Sequence, residues 1–417
     1  MTAQIFERVF VAALLVSFML KLWLGMRHIR HIRENRESVP DDFRERISIE
    51  DHRKAADHTV SNTFAGLASD FIEAMLVLGF SLGGGLNYLD AFWKGRTDSP
   101  IIEGVMLIGS VVLVMEAFEL PVALYKTFVI EARYGFNKMT MGLFMLDGLK
   151  KIFLTGMFGL PLAAFMLWLM MQMGKNWWLY AWFVWMAFNL LLMSIYPTFI
   201  APFFNQFRPL EASSMKKRIE HLLEKCGFES KGLFVMDGSR RSSHGNAYFA
   251  GFGRTKRIVF FDTLLNKLNE DEIEAVLAHE LGHFRHHHIV RRIVLGFMLS
   301  LIFLLALGHV RESSWFFEGL NAGNHSDAMA LLLFFMVSPA FTFLLKPFLS
   351  FYSRKNEFEA DGYAARQSDA ESLVKALTKL YQESAKTLTP DPLYSLFYDS
   401  HPPASIRIAH LRKAMHN

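Results

Sequence analysis

The chain has 417 residues, of which 52% are hydrophobic, including 40 Phe, 22 Met and 8 Trp. That is more apolar than an ordinary soluble protein of this size and indicates a membrane protein. The net charge is only +4, with the basic residues gathered in particular loops, which argues for membrane topology and against nucleic-acid binding.

Residues 9–24 form the first apolar span, with Lys21 near its end placed to snorkel. No small-residue cleavage site follows. The chain runs straight into Arg27, Arg30, Arg33 and Arg36, so the segment reads as a retained helix and not as a signal peptide. Residues 27–65 read as a polar, basic loop, which puts that loop in the cytoplasm and the N-terminus outside. The second span is 71–89, with Glu73 and Gly83-Gly84-Gly85. The third is 101–121 and carries Glu103, Glu116 and Glu119. Charges inside a membrane helix face protein or water, so Glu116 in particular suggests a hydrated interior. Residues 125–151 read as a cytoplasmic loop or interfacial segment. Spans four and five follow at 152–171 and 177–200, the latter headed by an aromatic belt of Trp177, Trp178 and Tyr180.

Residues 203–288 form the first long soluble stretch. An amphipathic helix is expected over 213–226. It ends at the only cysteine, Cys226, which excludes an intrachain disulfide and reads as a small buried hydrophobe. A strand is expected over 231–237. A hairpin is expected with arms at 247–250 and 257–261 and a turn at 251–254. A free edge on that hairpin would let an extended peptide pair with it.

Next comes His279-Glu280-Leu281-Gly282-His283, an H-E-x-x-H pattern. Residues four apart share a helix face, so His279 and His283 can present two imidazoles to one Zn²⁺, with Glu280 beside them to handle the proton of an attacking water. Asn269 is a plausible N-cap of that helix, Glu270 to Glu272 suit its first turn, and Ile273, Val276 and Leu277 supply its apolar face. His286, His287 and His288 follow. His287 is four residues from His283 and His286 seven from His279, yet the trio precedes Arg291 and Arg292 at a membrane surface and an interfacial role is preferred.

The motif helix then leads into a sixth span at 289–308. A seventh covers 331–345 and ends at Lys346-Pro347, and a polar segment, 350–417, completes the chain. Seven crossings put the N-terminus outside and all the long basic segments inside. The expected organisation is a five-helix membrane region (1–202), a first cytoplasmic segment with the hairpin and the motif helix (203–288), two further spans (289–349) and a second cytoplasmic segment that completes the metal site (350–417). The fold class is thus an all-α polytopic membrane protein with a cytoplasmic protease unit holding a small β-hairpin or sheet.

A two-histidine site needs a third protein ligand. In the helical run 353–364, Glu357 and Asp361 share a face with Ala364, whereas Glu359 points elsewhere. Glu357 is the expected ligand and Asp361 the acceptor for the outer N–H of a ligating histidine. His401, followed by Pro402-Pro403, reads either as an oxyanion donor or as a capping histidine. Arg407, on the helix that starts there, reads as the partner of a buried carboxylate or as a substrate contact.

These residues together resemble the integral-membrane CAAX prenyl protease family of zinc metalloproteases. The likeness is carried by the stretch 240–249 with Ser242-Ser243-His244-Gly245-Asn246, by His279-Glu280-Leu281-Gly282-His283, by Glu357-Phe358-Glu359-Ala360-Asp361, by Ser400-His401-Pro402-Pro403 with Arg407, and by Gly135-Phe136-Asn137-Lys138 and Ala201-Pro202-Phe203-Phe204-Asn205. It covers roughly residues 35–415. The resemblance implies seven membrane helices around a water-filled chamber and a gluzincin-like unit at its cytoplasmic end. It implies one Zn²⁺ held by His279, His283 and Glu357, and Glu280 as general base. His401 and Arg407 would support the transition state or the site, and Asn246 with the strand after it would align the substrate. Gly245 stands where serine is common in eukaryotic members, without removing a catalytic group. The implied partners are a peptide or protein substrate, including lipidated ones cleaved near a CAAX-type C-terminus, and membrane lipid, but no nucleic acid. No oligomeric state follows. The alternatives are a broad quality-control metalloprotease of the HtpX type and, in another class, a transporter or channel with a structural zinc. With no retrieval signal in its last residues, the expected location is a bacterial inner membrane.

Overall fold

The computed structural model describes residues 1–250 and 257–415. Among these, seven helices are long and apolar enough to cross a membrane: Ala3–Glu34, Ile49–Phe80, Pro100–Glu131, Met141–Gln172, Gly174–Phe204, His288–Val310 and Asp327–Gln367. They are spans one to seven below. The protein is a multi-pass, mostly helical membrane protein with a small mixed sheet.

Several spans outrun the apolar segments that announce them. A 32-residue helix is about 48 Å long at 1.5 Å per residue, against a hydrocarbon core of about 30 Å. The expected loop at 27–65 is therefore mostly helix. Span one continues to Glu34, with Arg30 bonded to Glu34 at 2.8 Å one turn on, and span two starts at Ile49 under a Ser48 cap that accepts from Asp51 N–H. The expected loop at 125–151 shrinks in the same way. Span three runs on through a π-helical turn, Lys126–Glu131, and span four begins at Met141. Span seven does not stop at Lys346-Pro347 either. A 3₁₀ turn, Phe343–Leu345, passes directly into the helix Lys346–Gln367, where Pro347 sits in the first turn and needs no N–H partner.

Lys21 does not snorkel. Its Nζ donates to Asp70 at 2.7 Å and to Glu73 at 3.4 Å, both on span two. Glu116 pairs with Lys151 of span four at 2.8 Å.

Among the described residues, the soluble unit combines a four-stranded sheet with five helices of seven residues or more. The strands are β1 (Phe207–Pro209), β2 (Leu233–Met236), β3 (Ala247–Ala250) and β4 (Arg257–Phe261), in the order β1-β2-β4-β3. β3 pairs antiparallel with β4, Ala247 opposite Phe260, so the two hairpin arms are adjacent, and β3 is an edge strand. The turn expected at 251–254 lies outside the described residues. β4 is central and parallel to β2, with Ile258, Val259 and Phe260 all buried, as a strand covered on both faces requires. The helices are α1 (Ser214–Lys225), α2 (Glu270–Arg285), α3 (Ala370–Ser384), α4 (Pro392–Tyr398) and α5 (Ala404–Met415). Their apolar core joins Ile273, Leu277 and Leu281 of α2 to Ile258 and Phe260 of β4 and to Leu373 and Val374 of α3. A separate core of Phe10, Leu107, Val111, Leu333 and Val337 holds the spans together.

Candidate metal centre

Helix α2 starts firmly. Asn269 Oδ1 accepts the Glu272 N–H and the Glu272 carboxylate accepts the Asn269 N–H, each at 2.9 Å, while Lys379 of α3 donates to Glu272 at 2.8 Å. Burial of Ile273, Leu277 and Leu281 then leaves a definite face for His279 and His283. That face packs on span seven through Gly282. A Cβ there would stand 2.9 Å from Ala360 Cα, so only glycine permits this approach.

The approach brings Glu357 to the histidines. The two Nε2 atoms are 3.2 Å apart, and they lie 3.5 Å (His279) and 3.4 Å (His283) from the Glu357 carboxylate oxygens. Ligands at about 2.0–2.1 Å around Zn²⁺ in a tetrahedron stand about 3.3–3.4 Å from one another, so the trio has the spacing of a metal site. Glu357 Oε2 is buried without a hydrogen-bond partner, a further fit to a cation. The donor set of two nitrogens and a carboxylate suits zinc.

Behind His279, the Nδ1 atom is 2.8 Å from Asp361 Oδ1, and Arg407 of α5 donates to both Asp361 oxygens, at 2.6 and 2.9 Å. Arg407 is 5% exposed and Asp361 0%, so the pair is fully desolvated. Burial would lower the His279 pKa, but the Asp361 and Glu357 carboxylates outweigh it and push it up to about 9. Burial opposes the Arg407 charge too, yet Asp361 more than offsets it and raises its pKa. Glu280 lies beside these groups, and burial raises its pKa against the opposing pull of His279 and His283.

His401 Nε2 is 3.4 Å from Glu357 Oε1, its other nitrogen 3.0 Å from Ser400 Oγ. His279, His283, Glu357, Asp361, Arg407 and His401 are thus brought together. Asn246 is not part of this contact set: it heads the edge strand β3, and its Oδ1 accepts from the Ala247 N–H. The interfacial reading of the histidine trio fails at His288, which is buried and in contact with His283 and Glu359. Its five-residue spacing from His283 matches no helical face, so no periodicity signals it.

A cavity of about 420 Å³ adjoins the site and is lined by His401, Lys386, Tyr398, Asn62, Asp70 and Lys21, among others. It runs from His401 to the ionic group between spans one and two, and its size is within the about 300–1,000 Å³ of ligand sites.

Residues 28–206 match the family model described as CAAX prenyl protease N-terminal, five membrane helices, and residues 209–415 match that of peptidase family M48. The chain is 32% identical to a CAAX prenyl protease 1 homolog of Arabidopsis thaliana, covering 97% of this chain and 96% of that protein. It is 31% identical to the Homo sapiens homolog, again covering 97% and 96%. The crystal structure of S. mikatae Ste24p superposes with a TM-score of 0.91 at 28% identity, over 97% of this chain and 99% of that one. This chain therefore belongs to the CAAX prenyl protease family of membrane metallopeptidases, within peptidase family M48.

Proposed function

We propose that this protein is a zinc endopeptidase that cleaves close to the C-terminus of CAAX-type proteins, prenylated or similar. The observation that carries the reading is the metal-spaced trio of His279, His283 and Glu357 with Glu280 beside it, and with His401 joining Glu357 to a cavity of about 420 Å³. When bound, Zn²⁺ supplies Lewis-acid polarisation of the scissile carbonyl and makes water acidic enough to ionise near neutral pH.

The chain's own residues do the rest. Glu280 accepts the proton of the attacking water and returns it to the leaving amine nitrogen. His401 donates to the carbonyl oxygen as charge develops there. Asp361, held by Arg407, keeps the His279 Nδ1 proton in place, so that Nε2 faces the metal position. Asn246 and β3 hold the peptide extended, an assignment supported by the position of β3 at the sheet edge. The basic ends of spans one and two favour a cytoplasmic catalytic side and an outside N-terminus.

The test is Glu280→Gln in the purified full-length enzyme, assayed on matched prenylated and unprenylated C-terminal peptides. Zinc content is expected to stay at one per chain while turnover falls about 10²–10⁴-fold. Full activity in that variant would overturn the mechanism. Equal cleavage of internal sites in unrelated membrane proteins by the wild type would favour a quality-control protease instead.

A further inference from the structure

The two ligand histidines are not supported alike. His279 Nδ1 meets a carboxylate directly, at Asp361. His283 Nδ1 instead meets another imidazole, His288 Nδ1, at 3.0 Å, and His288 Nε2 lies 3.0 Å from Glu359 Oε2. His288 is 4% exposed, so water does not substitute for these partners.

This contact depends on a break in the helix. Side chains five residues apart on a continuous α-helix are rotated about 140° from each other and do not meet. Here α2 ends at Arg285 and span six begins at His288. Between them His287 takes φ +56° and ψ +29°, a left-handed conformation that non-glycine residues rarely adopt. The break turns the His288 ring back onto His283. Glu359 reaches it from span seven, on the same helix as Glu357 but off the ligand face.

The protons follow from the partners. A carboxylate only accepts, so His288 Nε2 carries a hydrogen and donates it to Glu359. Neutral His288 then has its lone pair on Nδ1, which accepts the His283 Nδ1–H. His283 is left with its lone pair on Nε2, the atom that stands 3.2 Å from His279 Nε2 and 3.4 Å from Glu357. The opposite arrangement, with hydrogen on His288 Nδ1, would put the His283 hydrogen on Nε2 and block it as a ligand. We propose that His288 and Glu359 form a two-step relay that fixes the tautomer and ring orientation of His283 as a metal ligand, the counterpart of Asp361 at His279. Both are positioning residues. They belong to spans six and seven, so the relay also ties the ligand set to the packing of those helices.

The inference rests on the reading of His279, His283 and Glu357 as a metal site. It is tested by zinc affinity of the detergent-purified full chain, measured by chelator competition, beside the thermal midpoint of the metal-free protein. Glu359→Ala and His288→Leu are expected to weaken zinc binding about 10–100-fold. His288→Asn, whose amide oxygen can stand where Nδ1 was, and Glu359→Gln, which still accepts from Nε2–H, are expected to bind zinc within a few-fold of wild type. Glu359 is partly exposed, so Glu359→Ala should leave the metal-free midpoint unchanged even where His288→Leu does not fold. Wild-type affinity in Glu359→Ala overturns the relay. So does an equal loss in the alanine and glutamine variants. A wild type that binds no zinc overturns the metal-site reading and the relay with it.

Discussion

Where the soluble unit meets span seven, desolvated charges come in pairs: Arg407 meets Asp361 at 2.6 Å, and within the unit Lys379 meets the buried Glu272 at 2.8 Å. In the membrane bundle the arrangement is reversed. Large apolar side chains such as Phe199, Phe348 and Phe351 lie exposed on the outside, while Lys21, Asp70 and Asn62 line the cavity. The difference reflects the solvent each region folds in. Water rewards an apolar interior, whereas hydrocarbon lets polar groups stay only where they face one another or a hydrated space. Metal-site geometry is therefore built from desolvated groups of the soluble unit and of the polar end of span seven. The bundle supplies the wall of the space beside it.

The contrast can be broken, and the largest effect is expected at Arg407. Arg407→Met leaves the buried Asp361 with only the His279 Nδ1–H as partner, which costs about 3–5 kcal/mol, read as a lower thermal midpoint. A cost well below 1 kcal/mol would mean that the pair is hydrated and the soluble unit is not so different from the cavity wall. Gly282→Ala comes next. The added methyl meets Ala360 backbone atoms at 2.9–3.0 Å and must push α2 from span seven, for about 1–3 kcal/mol together with weaker zinc binding. Stability and zinc affinity both unchanged would show that the helix approach does not set ligand spacing. The smallest effect is expected in the bundle. Lys21→Met should cost about 1 kcal/mol, partly restored by Asp70→Asn, because both groups are only part-buried. Zinc affinity should not change, and a change would erase the division between the two regions.

Much of this was legible in the residues. Apolar runs marked seven spans, loose alternation marked the strand at 233–236, and the hairpin pattern marked the arms at 247–250 and 257–261. The H-E-x-x-H spacing places two imidazoles on one face because 3.6 residues make a turn. Boundaries were less legible: polar helix ends at 25–34 and 49–60 look like loop, since hydropathy reports the bilayer and not the backbone. His288 carries no such signal, because its contact with His283 arises from a left-handed residue that no composition rule announces.

The sequence by itself determined the chemistry available here, through donor types at helical spacing and enough apolar length to cross a membrane. Tertiary structure decided which distant groups meet. Glu357 reaches the histidines because Gly282 lets two helices touch, and Arg407 reaches Asp361 across 46 residues because α5 packs on span seven. His288 reaches His283 because the helix breaks between them. Side-chain periodicity is local and readable in one dimension. Close approach depends on the packing of segments far apart in the chain, and no short window of residues contains it.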